Sequence, residues 1–274
     1  FTELGVRKIR VTGGEPLIRR GVHELFEGLG ALADLDTLAL TTNGSQLADS
    51  AHALRDAGVK AINISLDSLQ AERFKTITRI GNLDTVLQGI DRAVECGFHR
   101  VRLNAVILDG LNRDEVVPLT QYALDKGVHI AFIEEMPLGQ VNVGGKPLAY
   151  VSSHTLQKEL SAHFTLVPMT ASDTAGPARD FLIAGSQTQV GFISPHSHNF
   201  CSQCNRLRMS AEGRLLMCLG NEESIDLREL LRAGSTDEEI KTTIIDSLSI
   251  KPERHVFDQP DEPQIVRFMN ATGG

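Results

Sequence analysis

The sequence predicts an α/β fold on a parallel sheet, and it favours a (β/α) barrel, complete or partial, over a doubly wound sheet. Three observations carry this. From Val6 to Glu135 the pattern repeats as strand, loop, helix, which gives parallel strands joined by right-handed crossovers. Polar residues stand two apart in the strands: Lys8 and Arg10; Asn63, Ser65 and Asp67; Arg102 and Asn104. Period two puts each set on one face. A doubly wound sheet would bury that face under helices at high cost, whereas an open barrel gives it a polar lumen. After Met136-Pro137 the alternation stops and a cysteine-bearing region follows.

In chain order, Phe1 to Gly5 reads as the last turn of a helix ending at glycine. Strands are expected at 7–12, 37–41, 60–65, 100–107 and 128–134. Helices of 3.6 period are expected at 21–33, 46–57, 70–77, 83–97 and 113–126. Thr12-Gly13-Gly14-Glu15-Pro16 and Thr41-Thr42-Asn43-Gly44 follow the first two strands. Loops there lie at the carboxyl ends of barrel strands, where ligands bind. Adjacent glycines admit a ligand to the backbone, although a Gly-Gly-Glu-Pro loop alone is more often only a turn. Residues 137–150 form a boundary or excursion loop. A helix at 153–162, β-like segments at 164–168, 179–183 and 189–193, and helices at 224–233 and 236–248 come next. The polar tail 250–274 ends in Gly273-Gly274, ordinarily a frayed end. Two regions are expected, 1–136 and 137–274.

Residues 196–220 hold three of the chain's four cysteines, Cys201, Cys204 and Cys218, with Arg206 and Arg208 directly behind the CxxC. One tight turn can aim Cys201 and Cys204 at a single metal centre. Cys218 returns after thirteen residues, a hairpin's length, with Glu212-Gly213 supplying the turn. Three sulfurs are one short of a closed tetrahedral site. Either His196 or His198 completes a zinc site, or the fourth position is open. Cys96, in an apolar helical pattern with Ile90, Ala93 and Val94, reads as a core filler.

The net charge of −8 argues against a general nucleic-acid binder. No apolar run approaches the roughly 18 residues of a membrane span. Cysteines grouped at ligand spacing point to a reducing compartment and a metal, not to disulfides.

Together, Lys8-Ile9-Arg10-Val11-Thr12-Gly13-Gly14-Glu15-Pro16-Leu17, Leu40-Thr41-Thr42-Asn43-Gly44, Asn63-Ile64-Ser65-Leu66-Asp67, Phe132-Ile133-Glu134-Glu135-Met136-Pro137, Phe200-Cys201-x-x-Cys204-Asn205-Arg206-Leu207-Arg208, Cys218-Leu219 and the terminal Gly-Gly resemble one family. It is the MoaA family, the radical S-adenosylmethionine (SAM) GTP 3′,8-cyclases that open molybdenum cofactor biosynthesis. The resemblance runs along essentially the whole chain. The Gly-Gly-Glu-Pro loop is common to many radical SAM proteins, whereas the cysteine motif with Asn-Arg-Leu-Arg and the final Gly-Gly are more specific.

The resemblance implies an incomplete (β/α)6 radical SAM barrel with a C-terminal iron–sulfur region. It implies conversion of GTP to 3′,8-cyclo-GTP by 5′-deoxyadenosyl radical chemistry. One [4Fe–4S] cluster, with an open iron facing the purine, maps onto Cys201, Cys204 and Cys218. The histidines then need no ligand role. Arg10, Thr41, Arg102, Arg206, Leu207 and Arg208 match GTP contacts, and Lys8 lies on the face of Arg10. Gly14, Ser65 and Met136 match SAM contacts. Gly273 and Gly274 match a tail that reaches the active site. Two positions depart from the pattern: Arg102 stands where many members have Lys, and Ala131 where many have Arg. The CxxxCxxC of the second [4Fe–4S] cluster, which binds SAM, is absent from the sequence. The resemblance places it before Phe1, so this chain is expected to lack the first βα unit and to be inactive alone.

The implied partners are GTP, SAM and an electron donor, in the cytoplasm, with no nucleic acid and no membrane. A homodimer is compatible, and the product passes to the next molybdopterin-pathway enzyme. Two rivals remain: a zinc-stabilised Cys3His binding domain without enzymatic activity, and a different radical SAM enzyme with an auxiliary cluster. The Arg206-Leu207-Arg208 run and the Gly-Gly end argue against the second.

Overall fold

Six parallel strands form the centre of the structure, a computed structural model that describes residues 1–136, 142–143, 146–147, 150–170, 176–198, 200–221 and 223–255. The strands are β1 (Lys8–Val11), β2 (Thr37–Thr42), β3 (Val59–Ser65), β4 (Arg100–Ile107), β5 (His129–Glu134) and a later strand, Gln189–Ile193. Between them run α1 (Val22–Gly30), α2 (Leu47–Asp56), α3 (Ala71–Thr78), α4 (Leu83–Glu95) and α5 (Val116–Lys126). A two-residue ribbon, β6 (Asn142–Val143) with β7 (Lys146–Pro147), precedes α6 (Ser153–Ser161). Then come β8 (Leu166–Pro168), β9 (Arg179–Ile183) and the sixth parallel strand, now β10. Sheet order is β1-β2-β3-β4-β5-β10-β9-β8, with β9 and β8 antiparallel at the end.

The first five strands succeed one another without reversal, so right-handed crossovers put their helices on one face. On that face Ile64, Leu103, Ile130, Val190 and Phe181 form one register row, all of them buried. Helix α4 covers part of it with Leu83, Val86, Ile90 and Ala93, a stripe at helical spacing. Its entry is capped by Asn82, whose side chain accepts from the Thr85 amide at 3.1 Å.

The opposite face carries the polar residues that the period-two pattern predicts. One row reads Arg10, Ala39, Ala61, Arg100 across β1 to β4. The next reads Thr41, Asn63, Arg102, His129, and the third Ser65, Asn104, Ala131, Gly191, Asp180. Small residues thus floor a trough whose walls are charged.

The remaining residues build a second unit: β11 (Arg208–Met209), β12 (Arg214–Leu216), β13 (Ser224–Asp226), α7 (Leu227–Arg232) and α8 (Asp237–Ser247). Its core is Leu215, Met217, Leu227 and Ile244, with Leu4 and Leu207 packed against it. Lys241 of α8 pairs with Glu3 at 2.5 Å. The helix expected at 224–233 begins as strand β13, because residues 224–226 pair with β12. Asp226 then caps α7 through the Glu229 amide at 2.9 Å. The segment before Gly5 is a single 3-10 turn, Thr2–Leu4, rather than an α-helical one. Gly273, Gly274 and most of 137–150 lie outside the described residues. Among the described residues no helix is long and apolar enough to cross a membrane.

Candidate active site

The charged walls of the trough are cationic. Arg10 reaches across Ala39 and donates to the Leu40 carbonyl at 3.0 Å and to Thr41 Oγ1 at 3.2 Å. Burial, with Arg102 and Arg100 alongside, pulls its guanidinium down to about 10. Burial also lowers Lys8, and repulsion from Arg10, Arg100, Arg102 and Arg206 lowers it further. These groups therefore share one field. Like charges gathered on one face, from exposed Lys8 to buried Arg102, form an anion site held ready, with repulsion that an incoming anion relieves.

Arg102 is 7 % exposed. Its Nη2 donates to Asp180 Oδ1 at 2.6 Å, and Arg100 reaches the other oxygen of that carboxylate at 3.4 Å. Arg100 also donates to Gln189 Oε1 at 2.9 Å. Arg102 Nε, Asn104 Oδ1 and Arg208 Nε are among the buried polar atoms of the described residues that have no hydrogen-bond partner. Unpaired buried polar atoms are costly, and a polar ligand would satisfy them.

The second unit carries the cysteines. Cys201 opens a 3-10 turn, Cys201–Gln203, with Cys204 at its end. Strands β11 and β12 form the expected hairpin, turning at Gly213, whose φ of 84° no ordinary side chain adopts readily. Arg208 pairs with Leu216, two residues before Cys218. Arg206 lies over the Phe200 ring at 5.1 Å and donates to Cys204 Sγ at 3.7 Å. Burial pushes the Cys204 thiol up, but the Arg206 amide and guanidinium and the Lys251 ammonium together bring it below its ordinary value. Cys218 is pushed up by burial and by the neighbouring Cys201 and Cys204. Arg208 is lowered by burial and by Arg206, and raised by Cys204 and Cys218. The three thiols and two arginines thus lie within electrostatic reach of one another.

Among the described residues no group of three or more His, Cys, Asp or Glu side chains converges on one metal-ion position. A four-iron cluster holds three cysteine sulfurs farther apart than one zinc ion does, and an all-thiol donor set flanked by cations suits it. His196 is committed elsewhere: Nε2 donates to the Glu135 carbonyl at 2.7 Å, and the ring packs on Tyr150.

A carboxylate ties the end of β5 to the start of α6 and to the segment that leads into the cysteines. Glu134, at the carboxyl end of β5, accepts from the amides of Ser153 (2.7 Å), His196 (3.0 Å) and Ser197 (3.0 Å) and from the Ser197 hydroxyl. Burial raises its carboxyl, yet these four donors leave it below the usual range. Gly14, Ser65 and Met136 sit at the carboxyl ends of β1, β3 and β5. Glu15 fastens that rim, accepting from the Leu17 amide (3.0 Å), Thr42 Oγ1 (2.8 Å) and the Asn43 amide (2.6 Å). Leu207 packs against the second core. The sequence reading missed Arg100, Asp180 and Lys251. Arg100 was findable, standing two residues before Arg102 on the same face. The other two carry no local signal.

Residues 1–123 match the family model of the Radical SAM superfamily, and residues 128–257 that of Molybdenum Cofactor Synthesis C. The GTP 3′,8-cyclase of Saccharophagus degradans is 52% identical over 275 residues, covering 100% of this chain and 83% of that protein. That of Ectopseudomonas mendocina is 50% identical over the same length and shares. Among solved structures, Streptococcus suis SuiB superposes with a TM-score of 0.59 at 13% identity, over 97% of this chain and 67% of that one. SuiB bound to S-adenosylmethionine gives 0.58 at 14% identity, over 88% and 57%. At such identities the likeness speaks for the fold alone. Identical to those cyclases at half its positions or more along its whole length, the chain belongs to the GTP 3′,8-cyclase family of radical SAM enzymes.

Proposed function

We propose that this protein converts GTP to 3′,8-cyclo-GTP, the first step of molybdenum cofactor biosynthesis. The observation that carries the reading is the meeting of one cationic trough, Lys8, Arg10, Arg100 and Arg102, with Arg206 and Arg208 beside three thiols. Guanidinium groups suit the oxygens of a triphosphate. Arg100 supplies a cation in the region where Ala131 brings none.

Cys201, Cys204 and Cys218 would hold a [4Fe–4S] cluster in the 137–274 region, which would supply an iron to bind the substrate base. Bound SAM, with the family's other cluster, would supply the radical chemistry. The chain's own residues bind and orient. The trough fixes the triphosphate, Thr41 holds Arg10 in line, and Arg206 and Arg208 grip the nucleotide near the thiols. Gly14, Ser65 and Met136 would line the SAM side at the strand ends, and Gly273 and Gly274, outside the described residues, match the tail that the family resemblance assigns to the active site. Fixing both reactants in a water-poor trough lowers the entropic barrier of the chemical step. An electron donor, the next enzyme of the pathway, a cytoplasmic setting and a homodimer complete the reading.

Calorimetric GTP binding tests it. Each charged hydrogen bond contributes about 1.5–3 kcal/mol, so Arg206→Ala with Arg208→Ala is expected to weaken GTP binding by roughly 100-fold or more. Unchanged affinity refutes their role. Anaerobic iron and sulfide analysis separates cluster from zinc: stoichiometric zinc without iron sinks the cluster.

A further inference from the structure

Lys251 follows the 3-10 turn Leu248–Ile250 that ends α8. Its ammonium has three N–H donors, and three acceptors surround it. They are the Arg206 carbonyl at 2.8 Å, the Met217 carbonyl at 2.8 Å and Cys204 Sγ at 3.9 Å. Arg206 lies two residues after Cys204, and Met217 immediately precedes Cys218. One side chain, 47 residues distant from Cys204 in sequence, therefore clips both cysteine-bearing segments together. Its charge acts on both thiols.

We propose that Lys251 is a positioning residue of the cluster site that also sets the reduction potential of the group held there. The inference rests on the reading of Cys201, Cys204 and Cys218 as cluster ligands. Its two parts follow from geometry. The carbonyl contacts fix the separation of the segments, and hence of the sulfurs. The ammonium beside a ligating sulfur stabilises the more negative state, in which the cluster has taken one electron from an external reductant such as dithionite. Hydrogen bonds and charge at the sulfurs are the general means by which proteins tune such clusters.

The test uses the anaerobically reconstituted protein, with iron and sulfide analysis, and redox titration with dithionite followed by electron paramagnetic resonance. Lys251→Met is expected to keep its fold by circular dichroism and to raise the oxidised-to-reduced ratio about tenfold at fixed potential, ~59 mV for one electron. Lys251→Arg, which keeps charge and donors, is expected to stay near the parent. An unchanged potential in Lys251→Met with full iron overturns the proposal. If Lys251→Met loses iron, Lys251→Arg decides: iron retained supports the clip, and iron lost in both overturns it. Absence of iron from the parent protein counts against the cluster reading itself, so the two failures are distinguishable.

Discussion

Asp180 Oδ1 and Arg102 Nη2 meet at 2.6 Å directly over Gly191. A Cβ at Gly191 would stand 2.4 Å from that carboxylate oxygen and 3.4 Å from Arg102 Nη1. The missing side chain on β10 is what lets an acid on β9 reach an arginine on β4. Ala131, between Arg102's strand and Gly191, keeps the same floor low.

Gly191→Ala is therefore expected to displace Asp180 and cost about 1–3 kcal/mol, the usual range for overpacking. In an Asp180→Ala background the same substitution should cost less, because its main clash has gone. Urea unfolding of the four proteins of the cycle measures the coupling. Additive costs would show that the glycine serves another purpose.

Asp180→Asn leaves a buried guanidinium facing a neutral amide. Breaking a buried pair in this way costs about 3–5 kcal/mol where no other anion takes its place. GTP can take that place if its phosphates lie in the trough. The variant should then be less stable without nucleotide, and gain more from GTP than the parent does. Thermal melts with and without GTP check this. An equal gain in both proteins would place Arg102 away from the nucleotide.

The barrel face was legible because period two depends only on neighbours along the chain: Arg10, Asn63 and Arg102 declared their side before any strand was paired. The CxxC and its arginines were legible because a turn fixes their spacing. Strand β10 was visible only as a β-like segment, since its parallel partner β5 lies far back in the sequence. Strand β13 was hidden because Ser224, Ile225 and Asp226 run straight into a helical pattern. Asp180, Lys251 and the four donors on Glu134 come from chain segments brought together only by folding, and nothing in their own sequence marks them.

Glu134 shows how much such a contact can carry. Its carboxylate holds the segment that leads into Cys201 through two amides and a hydroxyl, and the start of α6 through the Ser153 amide. Glu134→Gln keeps one acceptor oxygen and turns an amide donor toward other donors. Loss of one or two charge-assisted bonds, at about 1.5–3 kcal/mol each, should loosen this segment before the rest of the fold. Hydrogen exchange should accelerate at the amides of Ser153, His196 and Ser197 and stay unchanged in α4. Uniform acceleration across the chain would mean that Glu134 supports the whole fold and not the cysteine segment.

His129 makes the trough sensitive to acid. Burial first, then Arg100 and Arg102, lowers its imidazole from 6.5 to about 4, and Nδ1 accepts from the Gln189 amide at 3.1 Å. The folded state favours the neutral ring, so its pKa is depressed relative to the unfolded chain. The corresponding stability is fully present above pH 6.5 and is lost as pH falls toward 4. At 1.36 kcal/mol per unit, that amounts to about 3 kcal/mol. His129→Asn removes the titration while keeping an acceptor for Gln189. The stability difference between parent and variant, from urea unfolding at pH 7, 5.5 and 4, should shrink by about this amount on acidification. A constant difference across the three would show that protonation of His129 is no harder in the folded protein than in the unfolded chain.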